Sequence, residues 1–379
     1  MSSLWKRAGG TVLALAVFGG ALWFGTRDHA QEQQAEAVRQ VERARDEVQA
    51  LNGQVSVDVE PFFADERVQR ILRERSLPVK VTRVGSRDMA DRLVAGPVAD
   101  FYFPSGVLAA RQITDAAQRQ GVNLSQAAPF NSPMVVASWA PIARMLAANG
   151  MARTLGGRSY TLQMDALVPA MLAHKRWIDL QGADAFAVKR GILVSTTDVR
   201  KSNSAAMYLA LTSHAVLGDV VSGREQARST ALQLAPLFKR QGYQENYVNG
   251  NFDDYVQIGM GKAPLAFIYE YQIVGHAVRH KGVQPDMVLM YPEPTIVNKF
   301  VFLTGSARGR ALMAELSSNR ALLQIAAEYG LRGPDGGVFM AAVRPTGLEV
   351  PERIVQMVDP PSHELMSEMV DVVSQEMSK

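Results

Sequence analysis

Short apolar runs alternate with helix-like segments through most of this 379-residue chain, and this alternation constrains the fold more than any other feature. The runs at 55–60, 79–84 and 191–197 have the length and the β-branched content of strands. The segment 86–96, which follows the second run, is predicted to be a helix with Ser86 as its N-cap. Repeated strand–helix units are typical of βαβ topology, so we predict an α/β fold with a mostly parallel sheet.

The composition excludes several classes of function. Hydrophobic residues make up 47% of the chain and charged residues 20%, as in globular proteins with a packed core. The 40 basic and 37 acidic residues give a net charge of +3, and the sequence has no dense basic patch of the kind that binds nucleic acid. Cysteine is absent, which excludes disulfides, thiolate metal ligands and cysteine nucleophiles. The length allows about two domains.

An apolar segment near the N-terminus predicts a membrane anchor. Lys6 and Arg7 precede residues 8–25, which carry no charge. As a helix this segment would cover about 27 Å, close to the ~30 Å hydrocarbon thickness of a bilayer. The basic residues before it favour a cytoplasmic N-terminus and an exported main domain. Because Asp28 fits poorly beside a cleavage site at Ala30, we favour an uncleaved signal anchor, with a cleaved signal peptide as the alternative.

A second helical pattern follows the anchor. Apolar residues recur at steps of three and four over 31–54, and the dipeptide Asn52-Gly53 marks the end of the pattern. We therefore assign residues 1–30 to a cytoplasmic tip and transmembrane signal anchor, and residues 31–54 to a helical stalk. The stalk is too short to predict a coiled coil.

Signatures of enzymatic chemistry are missing from the sequence. It contains no G-x-S-x-G nucleophile elbow, no G-x-x-x-x-G-K-[ST] phosphate loop and no G-x-G-x-x-G turn after a strand. His276 and His280 stand four residues apart, but no glutamate lies between them as in zinc proteases. Both precede Gly282, where cations stabilise the carbonyl end of a helix. We therefore predict a protein without enzymatic activity, cofactor or metal site.

Polar turns between strands and helices provide the best candidates for a binding site. In open α/β sheets, ligands bind at the carboxyl ends of strands, where helix N-termini present backbone N–H groups. Such turns occur at 60–66, 84–88, 103–106 and 198–204, and the strand end 268–272 adds a fifth. Each turn alone is better explained as a helix cap worth about 1 kcal/mol, but several that meet in one crevice favour a ligand site.

Several segments share an order of elements with one family of binding proteins. Residues 84–106 run as strand, Ser/Gly turn, helix and short strand, and residues 195–208 place Ser and Asn in a turn before a helix. The other segments concerned are 132–139, 176–180, 261–272 and 327–337. Together they resemble the type II solute-binding proteins of ABC transporters, especially the molybdate- and iron-binding-like branch. The resemblance covers most of residues 55–345.

The resemblance implies a two-lobed α/β clamshell with two crossing strands, preceded here by the predicted transmembrane helix. Residues 55–138 plus 293–379 would form lobe 1, and residues 139–292 would form lobe 2. A small solute would bind in the interlobe cleft as the hinge closes. The implied ligand contacts are Ser86, Ser105, Ser202, Asn203 and Tyr269, with Arg200 and Glu270 beside them.

The chain departs from this family in ways that leave the charge of the ligand open. Residues 61–63, Pro-Phe-Phe, replace the family's small-residue turn after the first strand, which argues against an unaltered oxyanion pocket. Arg200 and Lys201 would favour an anion. Glu270 would instead favour a cation or an amine, unless it pairs with Arg200.

Iron-binding members of the family carry paired tyrosines, and the sequence argues against such a pair. Tyr269 and Tyr271 are two residues apart in a predicted strand. We take the two side chains to alternate across this strand. We therefore expect the two rings to face different sides and to make a poor pair.

We expect a membrane-anchored, extracytoplasmic binding protein that captures a small solute, with anions among the candidates, and delivers it to an ABC-type permease. The alternative is a sensory or interaction module of the same shape, which would signal ligand occupancy to a membrane partner and transport nothing. A membrane tether raises the local concentration beside either kind of partner.

Overall fold

The computed structural model describes residues 36, 49–86, 88–96, 98–242, 244, 249–354 and 356–379. The predicted anchor at 8–25 and most of the predicted stalk at 31–54 lie outside this part of the chain. Within the described part, every helix is too short or too polar to cross a membrane. The anchor therefore stays a prediction.

The strands of the described chain join in one sheet. They are β1 (Leu51–Val55), β2 (Val79–Arg83), β3 (Phe101–Phe103), β4 (Ser125–Trp139), β5 (Ala152–Gly156), β6 (Ser159–Gln163), β7 (Leu265–Tyr269), β8 (Met287–Glu293) and β9 (Val297–Thr304). Their order is β2-β1-β3-β9-β4-β8-β6-β5, and β7 pairs with β4 off this path. The predicted strand at 191–197 is reduced to isolated bridges, one of which joins Ser195 to Ala266.

Helices connect the strands and cover the sheet. They are α1 (Glu60–Ala64), α2 (Glu66–Glu74), α3 (Met89–Ala95), α4 (Val107–Arg119), α5 (Ala140–Ala148), α6 (Met164–Leu172), α7 (Asn203–Leu217), α8 (Arg224–Lys239), α9 (Gly250–Gln257), α10 (Glu270–His280), α11 (Ala307–Ser318), α12 (Arg320–Glu328), α13 (Gly336–Val343) and α14 (His363–Met377). Side chains cap several of these helices, as at Asp65 before α2 and Asn319 before α12. Such caps satisfy backbone N–H groups that have no partner inside the helix.

The sheet is mixed, so the prediction of a mostly parallel sheet is wrong. β1 runs parallel to β2 and β3, and β6 runs parallel to β8. However, β4 is antiparallel to β7, β8 and β9, and β3 is antiparallel to β9. Strand–helix alternation indicates where strands lie in the sequence, but it does not reveal that β9 inserts between β3 and β4 in the opposite direction.

The long strand β4 is shared by the two halves of the sheet. Residues 125–133 pair with β9, whereas residues 134–139 pair with β7 and β8. Residues 294–296 join β8 directly to β9, so the chain passes between the halves a second time. Two crossing segments are what the family resemblance implied. The lobe boundaries at 138 and 293 stay predictions.

The first strand begins earlier than the sequence predicted. The predicted helix is wrong at 51–54, which belong to β1, and the predicted strand at 55–60 is wrong beyond its first residue, since a turn and α1 follow. Alternate residues of β1 are buried, as expected for a strand with one face on the core. Gly53 lies against an aromatic ring, and a Cβ at this position would be 2.0 Å from Phe101. The glycine therefore permits close packing and does not end a helix.

An aromatic cluster forms the core beneath β1, β3 and β9. Phe62 and Phe63 of α1 are fully buried, with ring centroids 5.4 Å from Phe130 and 5.9 Å from Phe101 respectively. Phe101 in turn stacks on Phe302 at 4.9 Å. Each such buried side chain stabilises the fold by about 1.5–3 kcal/mol. Phe62 and Phe63 thus belong to the core, whereas Pro61 is exposed. An altered ligand pocket at this turn stays a prediction.

Candidate functional site

A set of polar side chains converges where the N-terminus of α7 meets the end of β7 and the start of β9. Asn203 is the first residue of α7, and its Nδ2 donates to Tyr269 Oη at 3.2 Å and to Asn298 Oδ1 at 3.3 Å. Asn298 Nδ2 donates to Ser105 Oγ at 2.9 Å. The Ser105 N–H donates to Ser86 Oγ at 2.9 Å. These five residues are called the cleft network below.

The cleft network contains four of the residues implied by the family resemblance: Ser86, Ser105, Asn203 and Tyr269. Ser86 does not act as the predicted helix cap, because α3 begins at Met89 and its N-cap position makes no side-chain bond. The Ser86 hydroxyl instead holds the turn after β3. The network joins residues separated by almost two hundred positions in the sequence, as Asn298 and Ser105 are.

The site is closed in this structure. The cavity beside the network has a volume of about 20 Å³ and is lined in part by Gly106, Asn203 and Asn298. That volume is about the size of one water molecule. Gly106 has a φ of 98°, and a Cβ there would lie 3.3 Å from Asn203 Nδ2, so glycine permits both the backbone turn and the close approach of α7. A ligand larger than water would require the network to open.

A carboxylate and a second tyrosine lie next to the network. Tyr271 Oη donates to Asp58 Oδ1 at 2.7 Å. Burial raises the pKa of the Asp58 carboxyl, although the hydrogen bond from Tyr271 works in the opposite direction. Burial and then the nearby Asp58 charge raise the pKa of Tyr271 well above its ordinary value. Tyr271 therefore keeps its phenol proton and donates it to Asp58.

The expectation that Tyr269 and Tyr271 face different sides is wrong. Residues two apart in a strand share a face, so the expectation was already inconsistent with strand geometry. In addition, β7 ends at Tyr269 and α10 begins at Glu270. The two rings stack, with centroids 5.5 Å apart and planes inclined by 26°. The change from strand to helix between them brings both phenols to the same region of the molecule.

Ser202 and its neighbour Asn203 make different contacts, and Ser202 caps α7. Its Oγ accepts from the Ser204 N–H at 3.3 Å, which makes it the N-cap of α7, and it lies 2.8 Å from Ser204 Oγ. Ser204 Oγ is also 2.8 Å from Thr197 Oγ1. The sequence suggested that one turn serves as helix cap and as ligand site. The structure gives the cap to Ser202 and the cleft contact to Asn203.

Arg200 lies at the edge of this turn and pairs with a neighbouring carboxylate. Its Nη2 is 2.5 Å from Asp198 Oδ2, and its side chain is 46% exposed. The hydrogen bonds from Arg200 hold the pKa of Asp198 below its usual range, and Asp198 correspondingly raises that of Arg200. Lys201 is exposed. Arg200 as a ligand contact stays a prediction, and its exposure and its ion pair argue for a role at the rim.

Glu270 is fully buried and pairs with Arg332, not with Arg200, which was one of the alternatives left open by the sequence. Arg332 Nε donates to Glu270 Oε2 at 2.5 Å and Arg332 Nη2 to Oε1 at 2.9 Å. Tyr291 Oη also donates to Oε1, at 2.5 Å. Since both carboxylate oxygens are engaged, Glu270 presents no free charge to a ligand in this structure. Its role as a ligand contact stays a prediction that these bonds oppose.

Sequence reasoning missed Asp58, Tyr271 and Asn298. Asp58 follows the true end of β1, and a correct boundary for that strand would have placed it in a candidate turn. Tyr271 was missed because the two tyrosines were assigned to opposite faces of a strand, although residues two apart share a face. Asn298 is the second residue of β9 and is brought to the site by its pairing with β4, which no local pattern reveals.

The chemistry available in the site suits binding. Hydroxyl, amide and phenol groups surround the closed cleft, with Asp58 as the adjacent carboxylate. Among the described residues, no three His, Cys, Asp or Glu side chains cluster as metal ligands would. The Ser105 hydroxyl accepts from the Asn298 amide and also hydrogen-bonds to the Asp58 carboxyl. These groups can orient a small polar molecule through several hydrogen bonds.

Neither a protein-family model nor a curated protein sequence matches the chain. Solved structures do match. AfuA from Actinobacillus pleuropneumoniae, a periplasmic binding protein with fructose-6-phosphate bound, has a TM-score of 0.50 at 11% identity and covers 86% of this chain and 97% of its own. The ferric binding protein of Campylobacter jejuni has a TM-score of 0.50 at 10% identity, with coverages of 86% and 97%. The fold is that of a periplasmic binding protein.

A third similar structure is iron-bound HitA from Pseudomonas aeruginosa, with a TM-score of 0.50 at 12% identity and coverages of 86% of this chain and 99% of its own. The fold implied by the family resemblance is therefore confirmed. The ligands named for these proteins, iron and a sugar phosphate, differ in size and charge. At such low identity the likeness establishes the fold alone, and the ligand has to be argued from the side chains of this chain.

Proposed function

We propose that the chain captures a small polar solute in the cleft closed by the cleft network and performs no chemistry on it. The observation that supports this most is the convergence of Ser105 and Asn298 with Asn203 and Tyr269 in one hydrogen-bonded set. The first two lie in the half of the sheet that contains β3 and β9, and the other two adjoin β7 in the other half. A ligand held between these groups would therefore touch both halves.

Binding would proceed by opening and closing of the two halves as lobes. One proposed lobe comprises residues 55–138 plus 293–379, together with the rest of β1. The other comprises residues 139–292. The hinge would lie in β4 and in residues 294–296, where the chain crosses between the halves. Hinge closure around a ligand excludes water and strengthens the hydrogen bonds inside the site.

The closed network can be displaced by a ligand at modest cost. The two bonds from Asn203 Nδ2 are 3.2 and 3.3 Å long, at the weak end of the range for N–H···O bonds. A typical intramolecular hydrogen bond contributes only about 0.5–1.5 kcal/mol net. A solute with several oxygens would replace these bonds with better ones. The N-terminus of α7 favours a negatively polarised or anionic oxygen at this position.

The proposal extends to the location of the protein. Residues 8–25 would anchor it in the membrane with the main domain outside the cytoplasm, beside an ABC-type permease that receives the solute. The support for this part is the sequence pattern of the anchor and the fold shared with periplasmic binding proteins.

A thermal-shift screen of the full chain tests the proposal. The panel would contain inorganic phosphate, sulfate, molybdate, ferric iron, fructose-6-phosphate and the common amino acids. A solute at 100 times its dissociation constant should stabilise the protein by about 2.7 kcal/mol, which is an easily measured rise in the unfolding midpoint. If no member of any class shifts the midpoint at millimolar concentration, capture of a small solute is not the function of this fold.

A further inference from the structure

A second and larger cavity lies in the half of the molecule that contains β7, away from the cleft network. It has a volume of about 660 Å³, within the ~300–1,000 Å³ range typical of small-molecule sites. Leu265, the first residue of β7, lines it, whereas Tyr269 at the other end of β7 belongs to the cleft network. A strand of this length separates its ends by about 14 Å. The two sites are therefore distinct.

The lining of this cavity is strongly basic. Among the described residues, one carboxylate lines it, that of Asp254. The lysine and arginine side chains that line it are Arg176, Lys189, Arg190, Arg240 and Lys262. The net charge of the whole chain is only +3, so basic residues are concentrated in the lining of this cavity. Like charges in such a surface repel one another unless an anion is bound.

Only part of this positive charge is balanced within the described chain. Arg176 pairs with Asp179 at 2.7 Å, and Lys262 lies 3.8 Å from Asp254. No carboxylate of the described residues forms an ion pair with Lys189, Arg190 or Arg240 at comparable distance. Arg190 and Arg240 donate instead to main-chain carbonyls, which do not cancel their charge.

Arg240 is the cation most firmly positioned in the cavity. Its Nη2 donates to the Met171 carbonyl at 2.7 Å, and its Nη1 lies 2.6 Å from His174 Nδ1. Its Nε is buried and has no hydrogen-bond partner. Burial lowers the pKa of Arg240, as expected for a guanidinium without an acidic neighbour. Arg190 is held at the mouth, where its Nη2 donates to the Gly261 carbonyl at 2.7 Å.

An unpartnered amide in the cavity lining gives independent evidence of a ligand. Gln244 is 7% exposed, yet neither its Oε1 nor its Nε2 has a hydrogen-bond partner. Buried amide groups in folded proteins are nearly always hydrogen-bonded, because an unsatisfied one loses its bonds to water without replacement. A bound molecule with both acceptor and donor atoms would satisfy this side chain.

We propose that this cavity binds a small organic anion through Arg240, Arg190 and Gln244. The anionic group is a carboxylate or a phosphate, which the guanidinium groups match with paired N–H donors. The carbon skeleton rests on the apolar part of the lining, which includes Trp177, Leu193 and Leu265. This site is separate from the solute site proposed above, so either site can exist without the other.

Isothermal titration of the full chain with citrate and with inorganic phosphate tests the inference. At least one of these probes should bind saturably with one site per chain at 150 mM salt. Arg240→Gln and Arg190→Gln should each weaken that binding by about tenfold or more, since each removes a charge-assisted hydrogen-bond donor. Arg144→Gln, which removes an exposed arginine of α5 outside the cavity, is the matched control and should bind as the wild type does.

The variants also separate this site from the cleft. Asn203→Ala should leave the binding of the anion unchanged, and loss of binding in that variant would assign the anion to the cleft and overturn the inference. Failure of both citrate and phosphate to bind would also overturn the inference. So would wild-type affinity in both arginine variants. Binding of an oligoglutamate peptide without binding of either small anion would overturn it as well. If Arg240→Gln does not fold by circular dichroism, the exposed Arg190 decides the outcome by itself.

Discussion

At the scale of the residue, Glu270 illustrates how partners distant in sequence determine what a charged side chain does. The sequence placed it at a strand end beside a candidate ligand contact. In the fold it is 0% exposed and bonded to Arg332, whose guanidinium also lies 4.3 Å above the ring of Phe339. No local pattern links positions 270 and 332, so this buried ion pair could not be predicted from either segment alone.

The Glu270–Arg332 pair provides a prediction about stability. Arg332→Ala leaves a buried carboxylate without its counter-charge and should lower the free energy of unfolding by about 3–5 kcal/mol, measured by urea denaturation. Arg111→Ala, which breaks the exposed pair with Asp115 on α4, is the matched control and should cost no more than about 1 kcal/mol. The double replacement of Glu270 and Arg332 by Met should recover most of the loss. Equal losses in the two alanine variants would refute this role for Arg332.

Asp58 provides a prediction about pH dependence. Because burial raises its pKa in the folded protein above the usual value of 3.8, the folded state binds the proton more tightly than the unfolded state does. Its contribution therefore favours folding below pH 3.8 and is lost as the pH rises through the raised pKa. Asp58→Asn should become progressively more stable relative to the wild type over this window, measured as the difference in unfolding free energy. A difference that stays constant with pH would contradict this assignment.

At the scale of the element, the sequence predicted β2 and the region of α3, because their hydrophobic periodicity is regular. It failed at boundaries where tertiary packing decides. Gly53 looked like a helix end and is a close-packed strand residue beneath Phe101. The strand end predicted within 268–272 lies at Tyr269, and α10 begins at the next residue. The direction of the strands could not be predicted from local sequence patterns either, because it depends on pairings between distant segments.

The start of α7 carries a prediction that separates stability from binding. Ser202→Ala removes the N-cap hydroxyl and should lower the free energy of unfolding by about 1 kcal/mol. The affinity for a solute in the cleft should be preserved, because Ser202 bonds within its own turn and not across the cleft. Urea denaturation and a binding titration on the same variant measure the two effects. A loss of affinity as large as that of Asn203→Ala would show that the cap itself contacts the ligand.

At the scale of the whole molecule, the C-terminal helix α14 complicates the predicted division into lobes. The sequence assigned residues 293–379 to lobe 1, but α14 packs mainly on α8 and α7 of the other half. Arg228 Nε of α8 is 2.5 Å from Glu368 Oε1 of α14, whereas His363 at the start of α14 lies 3.1 Å from Gln112 of α4. The helix thus contacts both halves and would restrict how far a hinge opens.

We propose that a solute binds between the two halves at the cleft network. The most direct test of this binding is calorimetric titration of each solute that raises the unfolding midpoint, in the wild type, in Asn203→Ala and in Ser367→Ala, an exposed control on α14. Loss of the Asn203 amide should weaken binding by about tenfold, whereas the control should match the wild type. An unchanged dissociation constant in Asn203→Ala would place the ligand elsewhere and contradict the account.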